Sequence, residues 1–212
     1  MVYRIIGAII TGYLLGSIPL SYVIPRIIKN KDIREIGSRN VGTLAVWREV
    51  NPLFGIVALI WDMGKGTLTI YTARWLGLEV HWVCVAGFAA VAGHDWPVFL
   101  KFHGGKGAAT IMGIMLAFSP LSTAIGMGIA AIVIIFTSNV RLGILGLIWI
   151  PLIAWLFNKP AAHIYYPLAL LIFLIVYTLI GLKGELAKSG ERKGLIVDRE
   201  YNFWQTKKPG NQ

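Results

Sequence analysis

Residues 107–136 read GAATIMGIMLAFSPLSTAIGMGIAAIVIIF, an apolar run without one charged side chain. As a single helix it would extend about 45 Å at 1.5 Å per residue. A bilayer's hydrocarbon core is only about 30 Å thick. Ser119-Pro120 supplies a break, because proline lacks an amide N–H and biases the residue before it away from the helical region. Two segments here, rather than one, set the number of crossings and decide which loops share a side of the membrane.

Outward from this run, further apolar segments of spanning length or close to it appear. They are Val2 to Pro25, then 53–74, 80–100, 121–137, 142–157 and 161–182. The first carries Arg4 as its only charge. It is too long for the apolar region of a signal peptide and lacks a small-residue cleavage site. With the piece before Ser119-Pro120, the count is seven.

Charge placement supports seven over six. With the N-terminus outside, seven crossings gather most basic residues on the cytoplasmic side. Loop 26–52 brings Arg26, Lys29, Lys31, Arg34, Arg39 and Arg48, and the next two inner loops bring Lys101, Lys106 and Arg141. The last inner segment, 183–212, brings seven more, from Lys183 to Lys208. Only Arg4, Arg74 and Lys159 remain outside, with Lys65 inside a segment. Six crossings would split the charges almost evenly, against the positive-inside rule. The expectation is an all-α integral membrane protein with seven transmembrane helices, N-terminus outside and C-terminus cytoplasmic. Residues 1–182 form one transmembrane domain and 183–212 a basic cytoplasmic tail, with Tyr201, Phe203 and Trp204 suited to interfacial anchoring.

Composition agrees. Of 212 residues, 56% are hydrophobic and 14% charged, and mean hydropathy is +0.67. Soluble domains carry about 25% charged residues, so composition argues against a soluble globular fold, and so much apolar mass excludes disorder. The net charge of +10 suits anionic substrates and headgroups. One cysteine excludes a disulfide framework and a cysteine-based zinc site. The 24 glycines suit close helix packing. No repeat array or inverted repeat is evident.

Three polar clusters stand out, and the seven-crossing topology puts each at or near the cytoplasmic face. Gly37-Ser38-Arg39-Asn40-Val41-Gly42, followed by Arg48, combines turn formers, hydroxyl and amide donors, and a bidentate guanidinium. Such a turn can hold an anion, or it can be a solvated loop ending in a cap. His94-Asp95-Trp96-Pro97 leads into Gly104-Gly105-Lys106-Gly107, with a helix expected from Ala108. Backbone donors, a helix N-terminus and a lysine make a phosphate cradle, or else a flexible surface turn. It is not a Walker A loop, since Leu100 and Gly107 occupy places that pattern reserves for Gly and Ser or Thr. Asp62-Met63-Gly64-Lys65 lies inside a segment, where charges are costly and mark function by default. Spacing of three puts Asp62 and Lys65 on one face, and that spacing favours a structural ion pair.

Familiar catalytic sets are missing. There is no Gly-x-Ser-x-Gly elbow, no His-x4-Asp dyad and no His-Glu-x-x-His pair. Cys84 reads as a small buried hydrophobe. His94 reads equally as a packing or capping residue and as a catalytic one.

In this order the clusters resemble the membrane-integral acyl-phosphate:glycerol-3-phosphate acyltransferases, the PlsY family. The resemblance runs from Leu14 to about Leu142. It rests on Gly16-Ser17-Ile18-Pro19, residues 37–42, Asp62-Met63-Gly64-Lys65-Gly66, and Gly93 to Phe99 continuing into Gly104 to Thr110. It implies transfer of a fatty acyl group from acyl phosphate to the sn-1 hydroxyl of glycerol 3-phosphate, giving lysophosphatidic acid and phosphate in phospholipid biosynthesis. It implies no metal, no cofactor and no protein nucleophile, a substrate phosphate taking the hydroxyl proton. Lys106, Ser38 and Arg48 would be the catalytic residues, Lys106 meeting a second phosphate or the transition-state charge. Gly37, Asn40, Gly42, His94, Gly104, Gly105, Gly107, Thr110 and Arg141 would bind substrate. The expected partners are the two substrates and membrane lipids, with no nucleic acid, in a monomer. The expected location is the plasma (cell inner) membrane, multi-pass, with the active site facing the cytoplasm.

The chain departs from the pattern in places. Thr43-Leu44-Ala45 stands where the family has Ala-Thr-Asn, and Arg141 where it often has serine. Residues 179–186 read LIGLKGEL where the family has His-Arg-x-Asn-Ile-x-Arg-Leu. These departures leave two alternatives, a different phosphorylated acceptor or a non-catalytic phospholipid-binding or transport protein. A small-solute transporter is weaker, because the polar clusters sit on one side.

Overall fold

The computed structural model describes residues 1–37, 39–137 and 142–189. Every regular element among them is helical. Helix α1, Val2–Ser17, ends where Ile18 turns extended ahead of Pro19, as a residue before proline tends to. Helix α2, Leu20–Lys29, then runs on through Pro25 and stops at Asn30 in the left-handed conformation. The expected segment from Val2 to Pro25 is therefore two helices end to end, and it reaches further than expected. Loop 30–42 precedes a short helix α3, Thr43–Glu49, which was not anticipated.

Helix α4, Pro52–Trp75, starts sharply because the Asn51 side chain accepts from the Leu53 N–H at 2.8 Å and proline takes the first position. Helix α5, Val80–Asp95, is followed by a 3-10 turn at Val98–Leu100. The expected break falls at Ser119: α6 is Ala108–Phe118 and α7 is Pro120–Thr137. At 11 residues, α6 is about 16 Å long, roughly half the hydrocarbon core. Over 142–157 a single helix does not form. Instead α8, Ile144–Leu147, and α9, Trp149–Leu156, are separated at Ile148. Pro151 in the first turn of α9 has no N–H to donate back across that junction. Helix α10, Ala162–Ser189, continues past residue 182, where a tail was expected to begin.

Five helical segments are long and apolar enough to cross a membrane: Val2–Lys29, Pro52–Trp75, Val80–Leu100, Pro120–Thr137 and Ala162–Gly181. Large apolar side chains such as Ile60, Trp75, Ile135 and Ile180 face outward. Helices apolar on every side suit a lipid surround.

The chain divides after Pro120 into two compact units. In the first, glycines bring backbones together. Gly12 lies against the Ala86 carbonyl, Gly16 against that of Ala90, and Gly93 against that of Tyr13, clasping α1 to α5. Gly113 meets the Met63 carbonyl and Gly66 that of Thr110, clasping α4 to α6. A methyl group at any of these places would overlap backbone, the small-residue packing typical of membrane helices. Thr67 Oγ1 donates to the Gly113 carbonyl at 2.8 Å along the same seam. In the second unit, Gly146 of α8 packs against Ala130 of α7, and Ile150 and Leu170 are fully buried.

Candidate functional site

The site lies wholly in the first unit, where α1, α2, α4 and α5 converge beneath two loops. Its floor is ionic. Lys65 Nζ sits 2.8 Å from Asp62 Oδ1, donates to the Gly16 carbonyl at 2.9 Å, and lies 2.8 Å from His94 Nδ1. Ser21 Oγ donates to the other Asp62 oxygen at 3.1 Å. Asp62 and Lys65 are each 1% exposed. The i,i+3 spacing thus does form a buried ion pair. What spacing along α4 does not reveal is that α1, α2 and α5 all donate or accept at the same point. Two charges in a low-dielectric interior are tolerable only as a close pair with further polar neighbours.

The first loop is held by a staple. Arg34 reaches back to Asp32 with both prongs, Nε to Oδ1 at 3.0 Å and Nη2 to Oδ2 at 2.7 Å, and stacks on the Tyr22 ring at 4.9 Å. The Tyr22 hydroxyl donates to Asp32 at 3.3 Å. This guanidinium holds the Asp32 carboxyl down at about 2, against an ordinary 3.8. Further along, Gly37 and Arg39 both have positive φ. Asn40 is half-buried and folds its amide over Gly42, while its carbonyl accepts from the Gly42 N–H at 3.0 Å. Arg48 is half-buried on α3. Ser38 and Arg141 lie outside the described residues.

The second loop is tied to the end of α5. Lys101 and Phe102 take left-handed φ values, and the chain doubles back. The Gly104 N–H donates to the Asp95 carbonyl at 3.0 Å and the Gly105 N–H to the His94 carbonyl at 3.2 Å. This corrects the expectation that both glycines offer outward donors to a phosphate: their N–H groups are spent inward, holding the loop. The donors left are those of the first turn of α6, after Gly107 at φ 70°, where helix N–H groups have no intrahelical acceptors. Lys106 precedes that turn and is half-buried rather than fully exposed. Thr110 is fully buried in α6, and among the described residues its hydroxyl has no hydrogen-bond partner.

The two loops meet. Ile33, Val41, Ala45 and Leu100 form a small apolar core beneath them. Gly105 fits against both the Val41 carbonyl and the edge of the His94 ring, where no side chain would fit. Between the loops and the ionic floor is a hollow of about 10 Å³, bordered by Gly16, Ser21, Val41, Lys65, His94 and Gly104. That is room for about one water-sized group.

Asp95, which the sequence marks only as the neighbour of His94, is buried at the base of the second loop. It is 1% exposed and neither carboxylate oxygen has a hydrogen-bond partner among the described residues. A methyl at Gly107 would come within 2.9 Å of Oδ1. A buried polar group without a partner costs about 1–3 kcal/mol. Asp95→Asn, which removes the charge at constant shape, is therefore expected to raise the melting temperature in detergent by a few degrees. A fall of that size would mean that the carboxylate is held by attraction and is not a liability.

A sequence model described as "Glycerol-3-phosphate acyltransferase" matches residues 6–185. A protein of Dehalococcoides mccartyi (strain ATCC BAA-2266 / KCTC 15142 / 195) named "Glycerol-3-phosphate acyltransferase 1" is 33% identical over 204 residues, 90% of this chain and 95% of that one. "Glycerol-3-phosphate acyltransferase 4" of strain CBDB1 is 41% identical over 119 residues, 56% of this chain, so the match spans about half (51%) of that relative's length. Among solved structures, an integral membrane glycerol 3-phosphate acyltransferase, PlsY (YgiH), in its glycerol 3-phosphate form, superposes with a TM-score of 0.77 at 28% identity. The superposition covers 86% of this chain and 92% of the other.

Proposed function

This chain belongs to the glycerol-3-phosphate acyltransferase family, multi-pass membrane enzymes of the PlsY kind, and from that premise we propose that it acylates the sn-1 hydroxyl of glycerol 3-phosphate with acyl phosphate as donor. The acceptor oxygen attacks the acyl carbon, forming the ester. The bond from that carbon to the phosphate oxygen breaks, and inorganic phosphate leaves. The hydroxyl proton passes to a phosphate oxygen, so no protein base is required. The products are lysophosphatidic acid and phosphate.

The observation that supports this reading is the meeting of the two loops over the ionic floor, where Val41 packs with Leu100 and its carbonyl lies against Gly105. Two anions that repel each other react only where cations and oriented donors offset their charge and fix their approach. Arg48 on α3 and Ser38 in the first loop serve one phosphate, with Gly37, Asn40 and Gly42 shaping the turn. Lys106 and the first turn of α6 serve the other phosphate and the charge that grows on it. Gly104, Gly105 and Gly107 keep that turn in place, with Thr110 behind it. Arg141 would bind substrate, as the family resemblance implies. The acyl chain lies among apolar helices, open to the bilayer.

The finer topology completes the proposal: seven crossings with α6 among them, N-terminus outside, and the loops, the site and the basic tail on the cytoplasmic side of the plasma membrane, in a monomer. The relatives' shared name along most of the chain disfavours another acceptor or a purely binding role, despite the altered 179–186 segment. The test offers labelled glycerol 3-phosphate to the purified protein with palmitoyl phosphate, and separately with palmitoyl thioester. Solvent-extractable label is expected with the phosphate donor. Label appearing only with the thioester would overturn the donor assignment.

A further inference from the structure

The first unit has a second polar feature, at the end away from the two loops. Gly12 lies against the Ala86 carbonyl and Gly16 against that of Ala90, so α1 and α5 run parallel and start side by side. Gly12 also meets Thr69, and the Gly16 carbonyl meets Lys65, so α4 runs the other way and ends beside both starts, at Trp75. The turn from α4 into α5 closes on itself. The Gly77 N–H donates to the Arg74 carbonyl at 2.9 Å and the Leu78 N–H to the Ala73 carbonyl at 3.3 Å. Between this turn and the start of α1 is a cleft of about 330 Å³, bordered by Met1, Arg4, Gly77, Leu78 and Glu79. Sites for small ligands begin at about 300 Å³.

Two opposite charges border the cleft without pairing to each other. Arg4 Nη1 donates to the Leu76 carbonyl at 3.4 Å, a long bond that uses one of a guanidinium's five donors. Among the described residues, the ionic contact of Glu79 is with His81 Nδ1, at 3.5 Å. An arginine near a helix end can simply snorkel into water. Here the surroundings add a lipid context. Tyr3 and Trp75, next to the cleft in sequence, are 89% and 85% exposed, and such aromatic side chains collect at the level of lipid headgroups. Below them Ile6, Ile10, Val85 and Phe88 turn apolar surface outward.

We propose that this cleft binds the headgroup of a zwitterionic phospholipid, its phosphate on Arg4 and its ammonium on Glu79. Its acyl chains lie along the outward apolar surface of α1 and α5. A phosphate takes two parallel N–H bonds from a guanidinium, and an ammonium donates to a carboxylate. A headgroup with a phosphate but no amine satisfies Arg4 and is repelled by Glu79. The lipid here is a bound neighbour and not a substrate, because the loops of the acyl-transfer site lie at the other end of these helices.

The test gives delipidated, purified protein equal amounts of phosphatidylethanolamine and phosphatidylglycerol with matched chains. Bound lipid is counted by native mass spectrometry. Wild type is expected to retain phosphatidylethanolamine several-fold over phosphatidylglycerol. Arg4→Gln is expected to lose about tenfold in phosphatidylethanolamine retention, the scale of one hydrogen bond to a charged group. Glu79→Gln is expected to bring the two lipids to parity. Both side chains are exposed, so both variants are expected to melt like wild type without lipid. Equal retention of the two lipids by wild type overturns the proposal without recourse to a variant. Retention unchanged in Arg4→Gln overturns the site and leaves Arg4 a snorkelling residue. A wild-type preference for phosphatidylglycerol overturns the part given to Glu79. No readout depends on turnover, so a failure of acyl transfer would count against the acyltransferase reading alone.

Discussion

Lys106→Ala is expected to abolish acyl transfer, with kcat/KM falling about 10³-fold, while the protein melts within a few degrees of wild type. Lys106 sits half-buried in the loop that leads into α6. The reaction gathers charge on phosphate at that point, and the helix turn offers partial charges that one lysine completes. Its loss removes transition-state stabilisation rather than packing. Initial rates of phosphate release across a range of both substrates check the expectation. A variant with wild-type kcat/KM would move the second phosphate away from α6 and leave the loop a mere connector.

Lys65→Met should act on the opposite quantity. It removes the cation from a floor in which Asp62 is 1% exposed, leaving the carboxylate with Ser21 as its remaining hydrogen-bond donor. Breaking a buried pair from one side costs about 3–5 kcal/mol. That is a large part of a typical stability of about 5–15 kcal/mol. Poor yield and a melting temperature lowered by well over 10 °C are expected. Asp62→Leu combined with Lys65→Met should recover much of the loss, because replacing both charges by apolar groups is often neutral or better. Melting curves of the single and double variants decide. A single variant as stable as wild type would mean that the floor carries no net electrostatic strain.

These two lysines show how far the sequence carries and where it stops. Both are chain-local signals: Lys65 by its spacing from Asp62, Lys106 by the glycines around it. The helix break at Ser119 and the sharp start of α4 at Asn51-Pro52 are likewise legible, because proline and a capping amide act on their own neighbours. What escapes is whatever depends on a partner distant in sequence. His94 closes the ionic floor across 29 residues and the Gly16 carbonyl across 49, and no periodicity announces either. The inward use of the Gly104 and Gly105 N–H groups escapes for the same reason, since their acceptors sit on the preceding helix. The segment 142–157 misled by composition. It is apolar enough to cross, but Pro151 divides it into two short helices. Helix α3 is too short, at seven residues, for a hydrophobic period to register against the basic loop around it.

The most direct test of the central claim is phosphate release from palmitoyl phosphate by the purified, folded protein, with and without glycerol 3-phosphate. The expected result is release that depends on glycerol 3-phosphate and matches lysophosphatidic acid formed, mole for mole. Release at the same rate without the acceptor, or none from a sample with a cooperative melt, would contradict the acyltransferase assignment.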